Sequence, residues 1–88
     1  MITITHPSPV ELKELGVETW SPWECEPSVF DWSYPAQETA YILKGRVAVT
    51  AANGERVEIT AGDLVVFPKG LKCRWEIFER IEKVYWMG

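Results

Sequence analysis

The sequence of 88 residues is poor in the residue types that most often build a metal centre. It contains one histidine, His6, and two cysteines, Cys25 and Cys73, with no CxxC pair. A structural zinc site needs four such ligands at a recognisable spacing, so none is expected. His6 precedes the first predicted helix, and we expect it at the surface or at a strand end. We expect both thiols to be free, since disulfides are uncommon in a reducing compartment.

Positive charge and long apolar runs are also scarce. Nine Lys and Arg stand against 13 Asp and Glu, which leaves a net charge of -4. A nucleic-acid-binding domain needs a basic stripe to neutralise phosphates, so the composition argues against this class. No apolar run approaches the length of a membrane span, and the segment MITITHPSPV lacks the features of a signal peptide. We therefore expect a cytoplasmic protein with neither a nucleic-acid nor a membrane partner.

Aromatic residues, in contrast, are abundant. Five Trp, three Tyr and three Phe occur in a chain long enough for one small domain. A domain of this size buries a modest fraction of its surface, and large rings compensate because each one carries a large apolar area. We expect some of these rings in the core and others in a pocket or a subunit contact.

One segment has the pattern of a helix. In SPVELKELG, Ser8 is a candidate N-cap, Pro9 occupies the first helical position, Glu11 completes a capping box, and Gly16 is a stop signal. The segment predicts a helix of at most two turns. Its apolar residues form a short stripe.

The rest of the chain has the pattern of short strands. Alternating segments are separated by turn residues: ETAYILKG, RVAVTA, ERVEIT, DLVVFP, LKCRWEIFE and EKVYWM. The first is predicted to end at Lys44-Gly45, and Asn53-Gly54 favours a hairpin with a type I′ turn. This spacing predicts an all-β antiparallel sandwich or barrel. The predicted single domain has an N-terminal strand and short helix in residues 1–16 and a barrel core in residues 17–88.

The period of two along each strand assigns side chains to faces. Two rows are predicted to point to the interior: Phe30, Trp32 and Tyr34 in one strand, and Cys73, Trp75 and Ile77 in another. Glu38 shares a face with Ala40 and Ile42. Alternation alone leaves open whether that face points inward.

Two stretches resemble the motifs of the cupin superfamily. GDLVVFPKGLKC is similar to the second cupin motif, with Cys73 where that motif has a histidine. ETAYILKG is similar to the end of the first motif, with Trp32 and Tyr34 where its two histidines stand and Glu38 retained. The chain resembles the small single-domain cupins grouped with the ureidoglycine aminohydrolases and the ethanolamine-utilisation cupins. The resemblance implies an RmlC-like β-barrel (jelly roll, double-stranded β-helix) with one short N-terminal helix, and a homodimer.

The substitutions at the motif positions shape the functional expectation. Metal-binding cupins use three histidines and a glutamate, of which this chain keeps only Glu38, so we expect no metal cofactor. A metal, if held, would use Glu38 and Cys73. Glu38 is a candidate general acid or base and is equally interpretable as a buried structural carboxylate. Cys73 is a candidate nucleophile, but no base or positive charge in the sequence pattern activates it, so the interpretation as a small buried thiol is favoured.

The function predicted on these grounds is the binding of a small molecule. The expected pocket has aromatic walls, one carboxylate and one thiol, from Trp32, Tyr34, Glu38, Cys73 and Trp75. Two alternatives stay open. One is an enzyme that acts on a small nitrogen-containing metabolite, as the resemblance to ureidoglycine aminohydrolases implies. The other is a metal-binding cupin.

Overall fold

A computed structural model describes residues 1–88 and consists almost entirely of antiparallel strands. The seven strands are β1 (Thr3–Thr5), β2 (Ser21–Cys25), β3 (Val29–Ser33), β4 (Glu38–Ala51), β5 (Arg56–Thr60), β6 (Leu64–Phe67) and β7 (Lys72–Met87). The helix α1 (Pro9–Leu15) and one 3₁₀ turn (Val17–Thr19) lie between β1 and β2. Every strand pair is antiparallel, which confirms the predicted all-β class with one short helix.

Helix α1 begins and ends where its capping residues predict. The Ser8 hydroxyl accepts a hydrogen bond from the Glu11 backbone N–H at 3.2 Å, and the Glu11 carboxylate accepts one from the Ser8 N–H at 3.0 Å. Gly16 ends the helix in the left-handed conformation, with φ of 70°. None of the helical residues is buried, so the caps rather than an apolar face define this helix. Neither helical segment is long and apolar enough to cross a membrane.

Two strands are much longer than the sequence pattern predicts. The break expected at Lys44-Gly45 is wrong, because β4 continues through it with register irregularities against β7. Gly45 has φ of 101°, and a Cβ there would lie 2.2 Å from the Arg80 carbonyl oxygen. Only glycine fits this close approach, so Gly45 lies within β4 instead of ending it. Likewise, LKCRWEIFE and EKVYWM form the single strand β7.

The long strands β4 and β7 pair with each other in the middle of the sheet. The strand order is β1-β6-β4-β7-β2, while β5 pairs with the later part of β4 and β3 with the early part of β7. The N-terminal half of β4 pairs with the C-terminal half of β7, and the reverse holds at the other end. The sheet folds over one core without closing, which is consistent with a jelly roll.

The β4–β5 connection is the predicted hairpin, but its turn is not of type I′. That turn needs positive φ at both central residues. Asn53 has negative φ, because only glycines have positive values in this chain. The Gly54 N–H instead donates to the Ala51 carbonyl at 2.9 Å, and the Asn53 side chain accepts from the Glu55 N–H at 2.9 Å.

The core resolves which face of β4 points inward. Ala40 and Ile42 are fully buried in the central apolar cluster, and Glu38 on the same face is 6% exposed. The carboxylate at the start of β4 therefore lies inside the fold. A buried carboxylate needs a partner, and the identity of that partner defines the site described next.

Candidate functional site

The inner face of the sheet holds a cavity of about 480 Å³ with a mainly aromatic wall. Its six rings belong to Trp23, Phe30, Trp32, Tyr34, Trp75 and Tyr85. Strand pairing assembles them: Phe30 in β3 lies opposite Trp75 in β7, and the two rings stack with centroids 6.0 Å apart. Trp23 in β2 meets the Trp75 ring edge-on at 6.0 Å. Trp32 is half exposed, whereas Tyr34 and Trp75 are buried.

A buried ion pair lies in this aromatic wall. The Lys83 ammonium nitrogen is 2.6 Å from Oε2 of Glu38, and each side chain is only 7% exposed. The two residues come from β4 and β7, 45 positions apart in the chain. Both line the cavity, so the aromatic wall contains one carboxylate and one amine.

Aromatic rings surround the Lys83 ammonium on its other sides. Nζ lies 4.9 Å from the ring centroid of Trp75, 5.0 Å from Trp23, 5.5 Å from Tyr85 and 6.0 Å from Phe67. These are cation–π distances. Burial lowers the pKa of Lys83, and the neighbouring Glu38 carboxylate partly offsets that effect. The amine therefore loses its proton more easily than a lysine in water does.

Two other polar groups are buried near the ion pair without a hydrogen-bond partner. They are the Tyr34 hydroxyl and the Trp75 indole N–H. Burial, with the negative charge of Glu38, raises the pKa of Tyr34 well above its ordinary value. Tyr34 therefore remains a neutral phenol throughout the physiological range.

Cys73 lies in the interior as predicted, but it is not in the pocket wall where the sequence analysis expected it. Cys73 is buried and absent from the cavity wall, and its thiol donates to the Trp32 carbonyl at 3.6 Å. Burial raises the pKa of Cys73, which disfavours the thiolate that a nucleophile requires. Cys25 lines the cavity instead, with Sγ 3.6 Å from the Ser28 hydroxyl.

The four motif positions do not fit a divalent metal. Trp32 offers no ligating atom, Cys73 lies outside the cavity wall, and Lys83 already contacts the Glu38 carboxylate. The chain contains no group of three or more His, Cys, Asp and Glu side chains that could hold an ion. His6 lies at the surface, with its side chain 77% exposed and Nε2 2.8 Å from the Asp63 carboxylate.

The structure brings together four of the five residues predicted for the pocket. Trp32, Tyr34, Glu38 and Trp75 line one cavity, whereas Cys73 is buried in the core and is not among the lining residues. Lys83 was not predicted as a pocket residue, although strand alternation is compatible with its inward position. Residue 83 falls on the inward face of β7 with Ile81, once β7 is recognised as one continuous strand.

Comparison with known proteins agrees with this architecture. The family model for the EutQ-like cupin domain matches residues 12–85. The chain is similar to a DUF861 family protein from Thermotoga maritima, with 50% identity, a TM-score of 0.99 and full coverage of both chains. No curated protein matches it significantly.

More distant solved structures share the fold. A DUF1255 protein from Acidithiobacillus ferrooxidans has 26% identity and a TM-score of 0.69, over 72% of this chain and 60% of that one. The Clostridium difficile EutQ protein has 25% identity and a TM-score of 0.66, over 73% of this chain and 50% of that one. The present domain thus corresponds to part of these longer relatives. By its family match and its close structural relative, the chain belongs to the EutQ-like cupin domain family.

Proposed function

We propose that this domain binds a small organic molecule in its aromatic cavity without a metal ion. The observation that carries the proposal is the buried Glu38–Lys83 pair in the wall of an otherwise apolar cavity. Burying two charges costs desolvation energy, and well-packed apolar residues in their place are often at least as stable. Charges kept in a cavity wall therefore favour a role in ligand recognition.

The geometry favours a ligand with a flat apolar body and a neutral hydrogen-bond acceptor. The rings offer faces and edges for stacking, which suits a planar molecule. Glu38 and Lys83 neutralise each other, so an added carboxylate or ammonium would be buried without a counterion of its own. A carbonyl oxygen avoids this cost, because the ammonium has N–H donors beyond the one that Glu38 accepts.

A matched set of ring compounds tests this ligand class. Benzaldehyde and benzamide carry a neutral carbonyl, whereas benzoate and benzylamine carry a charge on the same ring. We expect the two neutral compounds to quench the tryptophan fluorescence saturably and to raise the melting temperature. The charged compounds should bind more weakly. Tighter binding of benzoate or benzylamine would contradict the proposed role of the ion pair.

Two half-exposed tryptophans provide a matched pair of variants. Trp32 lines the cavity and is 50% exposed, whereas Trp86 does not line it and is 54% exposed. Loss of one aromatic contact is worth about 0.5–1.5 kcal/mol, or a factor of about 2–12 in affinity. We expect Trp32→Ala to weaken binding by that factor and Trp86→Ala to leave it unchanged. Equal effects of both variants would place the binding site elsewhere.

An enzyme acting on a small nitrogen-containing metabolite is a second candidate function. The observation that favours it is the close contact of Glu38 and Lys83, since such a pair can exchange a proton with a bound substrate. The resemblance to ureidoglycine aminohydrolases suggests ammonia release as the activity to assay. Ammonia release from ureidoglycine that Lys83→Met abolishes would support the candidate. If the wild-type protein binds the ring compounds but releases no ammonia, the enzyme candidate is excluded and ligand binding is the function that remains.

A further inference from the structure

We propose that Lys83 is an amine nucleophile that captures a small aldehyde or ketone as a reversible imine. The inference rests on the proposed small-molecule site and names the reaction that this site would support. Its substrate class is a carbonyl compound with an apolar, preferably planar, body.

The surroundings of Lys83 are those that activate a lysine. An amine becomes nucleophilic when an apolar environment disfavours its charged form, and a neighbouring base can accept its proton. The Lys83 side chain is only 7% exposed, and the Glu38 carboxylate lies 2.6 Å from its Nζ. Burial lowers the pKa of Lys83, which favours the neutral amine that acts as the nucleophile.

The other lysines have no such surroundings. Lys13, Lys44, Lys69 and Lys72 are all exposed to solvent. Lys83 is also the only lysine in the cavity wall, where a bound carbonyl compound would meet it. The other four therefore serve as internal references for ordinary amine reactivity.

The reaction balances with Glu38 as the proton carrier. Transfer of a proton from Nζ to Glu38 leaves a neutral amine, whose electron pair attacks the carbonyl carbon while the carbonyl π bond breaks. The carboxylic acid returns its proton to the resulting alkoxide and then removes a second proton from nitrogen. It delivers that proton to the hydroxyl group, which leaves as water when the C=N bond forms. The products are a protonated imine and one water, with no oxidant or reductant involved.

The imine product preserves the charge balance of the site. A protonated imine carries one positive charge, as the ammonium did, and Glu38 is again a carboxylate. The buried ion pair therefore exists both before and after the reaction. Because an unpaired buried charge is strongly unfavourable, a site that retains the pair suits reversible capture.

Reductive trapping tests the proposal. Wild-type protein is incubated with benzaldehyde and sodium cyanoborohydride at neutral pH, and the benzyl group fixed on each amine is located by peptide mapping. A lowered pKa increases the neutral fraction of an amine at a given pH. We expect Lys83 to carry the dominant label, above that of each of the four exposed lysines. The α-amine of Met1 confirms that the reagent is active.

Two variants and one further probe serve as controls. Lys83→Arg keeps a cation beside Glu38 but has no amine to form an imine, and Lys83→Met removes the charge in case the arginine does not fit. Both should lose the dominant label while the exposed lysines keep their low labelling. Benzyl alcohol, which has the same ring but no carbonyl group, should reduce the labelling of Lys83 by competition.

The outcomes separate the two proposals. Labelling confined to exposed amines, with saturable quenching of tryptophan fluorescence by benzaldehyde, overturns imine formation and leaves ligand binding intact. Labelling confined to exposed amines, with no quenching by any of the four ring compounds, overturns both. Selective labelling of Lys83 supports both.

Discussion

The buried Glu38–Lys83 pair predicts that removing either charge alone is strongly destabilising, whereas removing both is not. The perturbation is a double-mutant cycle made of Glu38→Leu, Lys83→Met and the double variant. Each single change leaves one charge buried at a site where the side chain is 7% exposed. The double change leaves none. A stability cycle isolates this coupling because the two side chains contact each other directly.

The expected magnitudes follow from burial. Breaking a buried pair by removing one partner costs about 3–5 kcal/mol, whereas replacing both by apolar residues is neutral or stabilises by about 1–4 kcal/mol. Using the lower bound of about 3 kcal/mol and about 4 °C per kcal/mol for a domain of this size, each single variant should lose about 12 °C in melting temperature or more. The double variant should melt at or above the wild-type temperature.

The Lys83→Met variant should also show a characteristic pH dependence. Its orphaned Glu38 carboxylate is buried, so its folded-state pKa should rise above the unfolded value of about 4.3. In the window between these two values the folded state binds more protons than the unfolded state. The free energy of unfolding should therefore fall as pH rises from about 4.3 toward neutrality.

Urea unfolding followed by tryptophan fluorescence measures the whole cycle, and circular dichroism confirms that each variant is folded before titration. The prediction is refuted if each single variant lowers the free energy of unfolding by less than about 1 kcal/mol and the two losses add in the double variant. That result is typical of a solvent-screened surface pair. A destabilised double variant with two mildly affected singles would equally contradict the account.

Four further predictions concern the backbone, the phenol, the metal and the assembly. Gly45→Ala should lower the free energy of unfolding by more than about 3 kcal/mol, because its Cβ would clash with the Arg80 carbonyl. Gly54 has a similar φ but lies in open space, so Gly54→Ala should lower it by only about 1 kcal/mol. Equal losses in urea titrations would exclude the clash. Tyr34 has a raised folded-state pKa, so the wild-type protein should lose stability as pH rises above the unfolded-state pKa of about 10. Tyr34→Phe should reduce that loss. The same loss of stability at alkaline pH in both proteins would contradict the prediction. Elemental analysis after purification without chelator should find no stoichiometric iron, manganese, nickel or zinc, and stoichiometric metal would overturn the metal-free proposal. Light scattering at micromolar concentration should report a homodimer, since pairing covers exposed strand edges, and a strict monomer would contradict this.

Local sequence signals predicted the parts of the fold that depend on local interactions. Ser8 and Gly16 marked the ends of the helix because capping groups bond to residues three or four positions away. The alternation of Phe30, Trp32 and Tyr34 grouped three rings on one face, and all three line the cavity. Periodicity works here because neighbouring side chains of a strand point to opposite faces.

The features that the sequence did not reveal depend on distant contacts. Alternation is compatible with an inward-facing Lys83, but a buried lysine needs a partner, and Glu38 is 45 positions away in the chain. Gly45 was predicted to end a strand. The structure requires glycine there because the Arg80 carbonyl approaches closely, and this tertiary contact leaves no signal in the local sequence. Cys73 was assigned correctly to the interior, but alternation does not distinguish a cavity wall from the rest of the packed core.

The central claim is that the aromatic cavity with its buried ion pair binds a small molecule. The most direct measurement is a crystal structure of the protein soaked with whichever of the four ring compounds gives the strongest fluorescence quenching. The account predicts the compound inside the cavity, stacked on the aromatic wall and in contact with Lys83. A compound bound elsewhere, with the cavity containing only water, would contradict it.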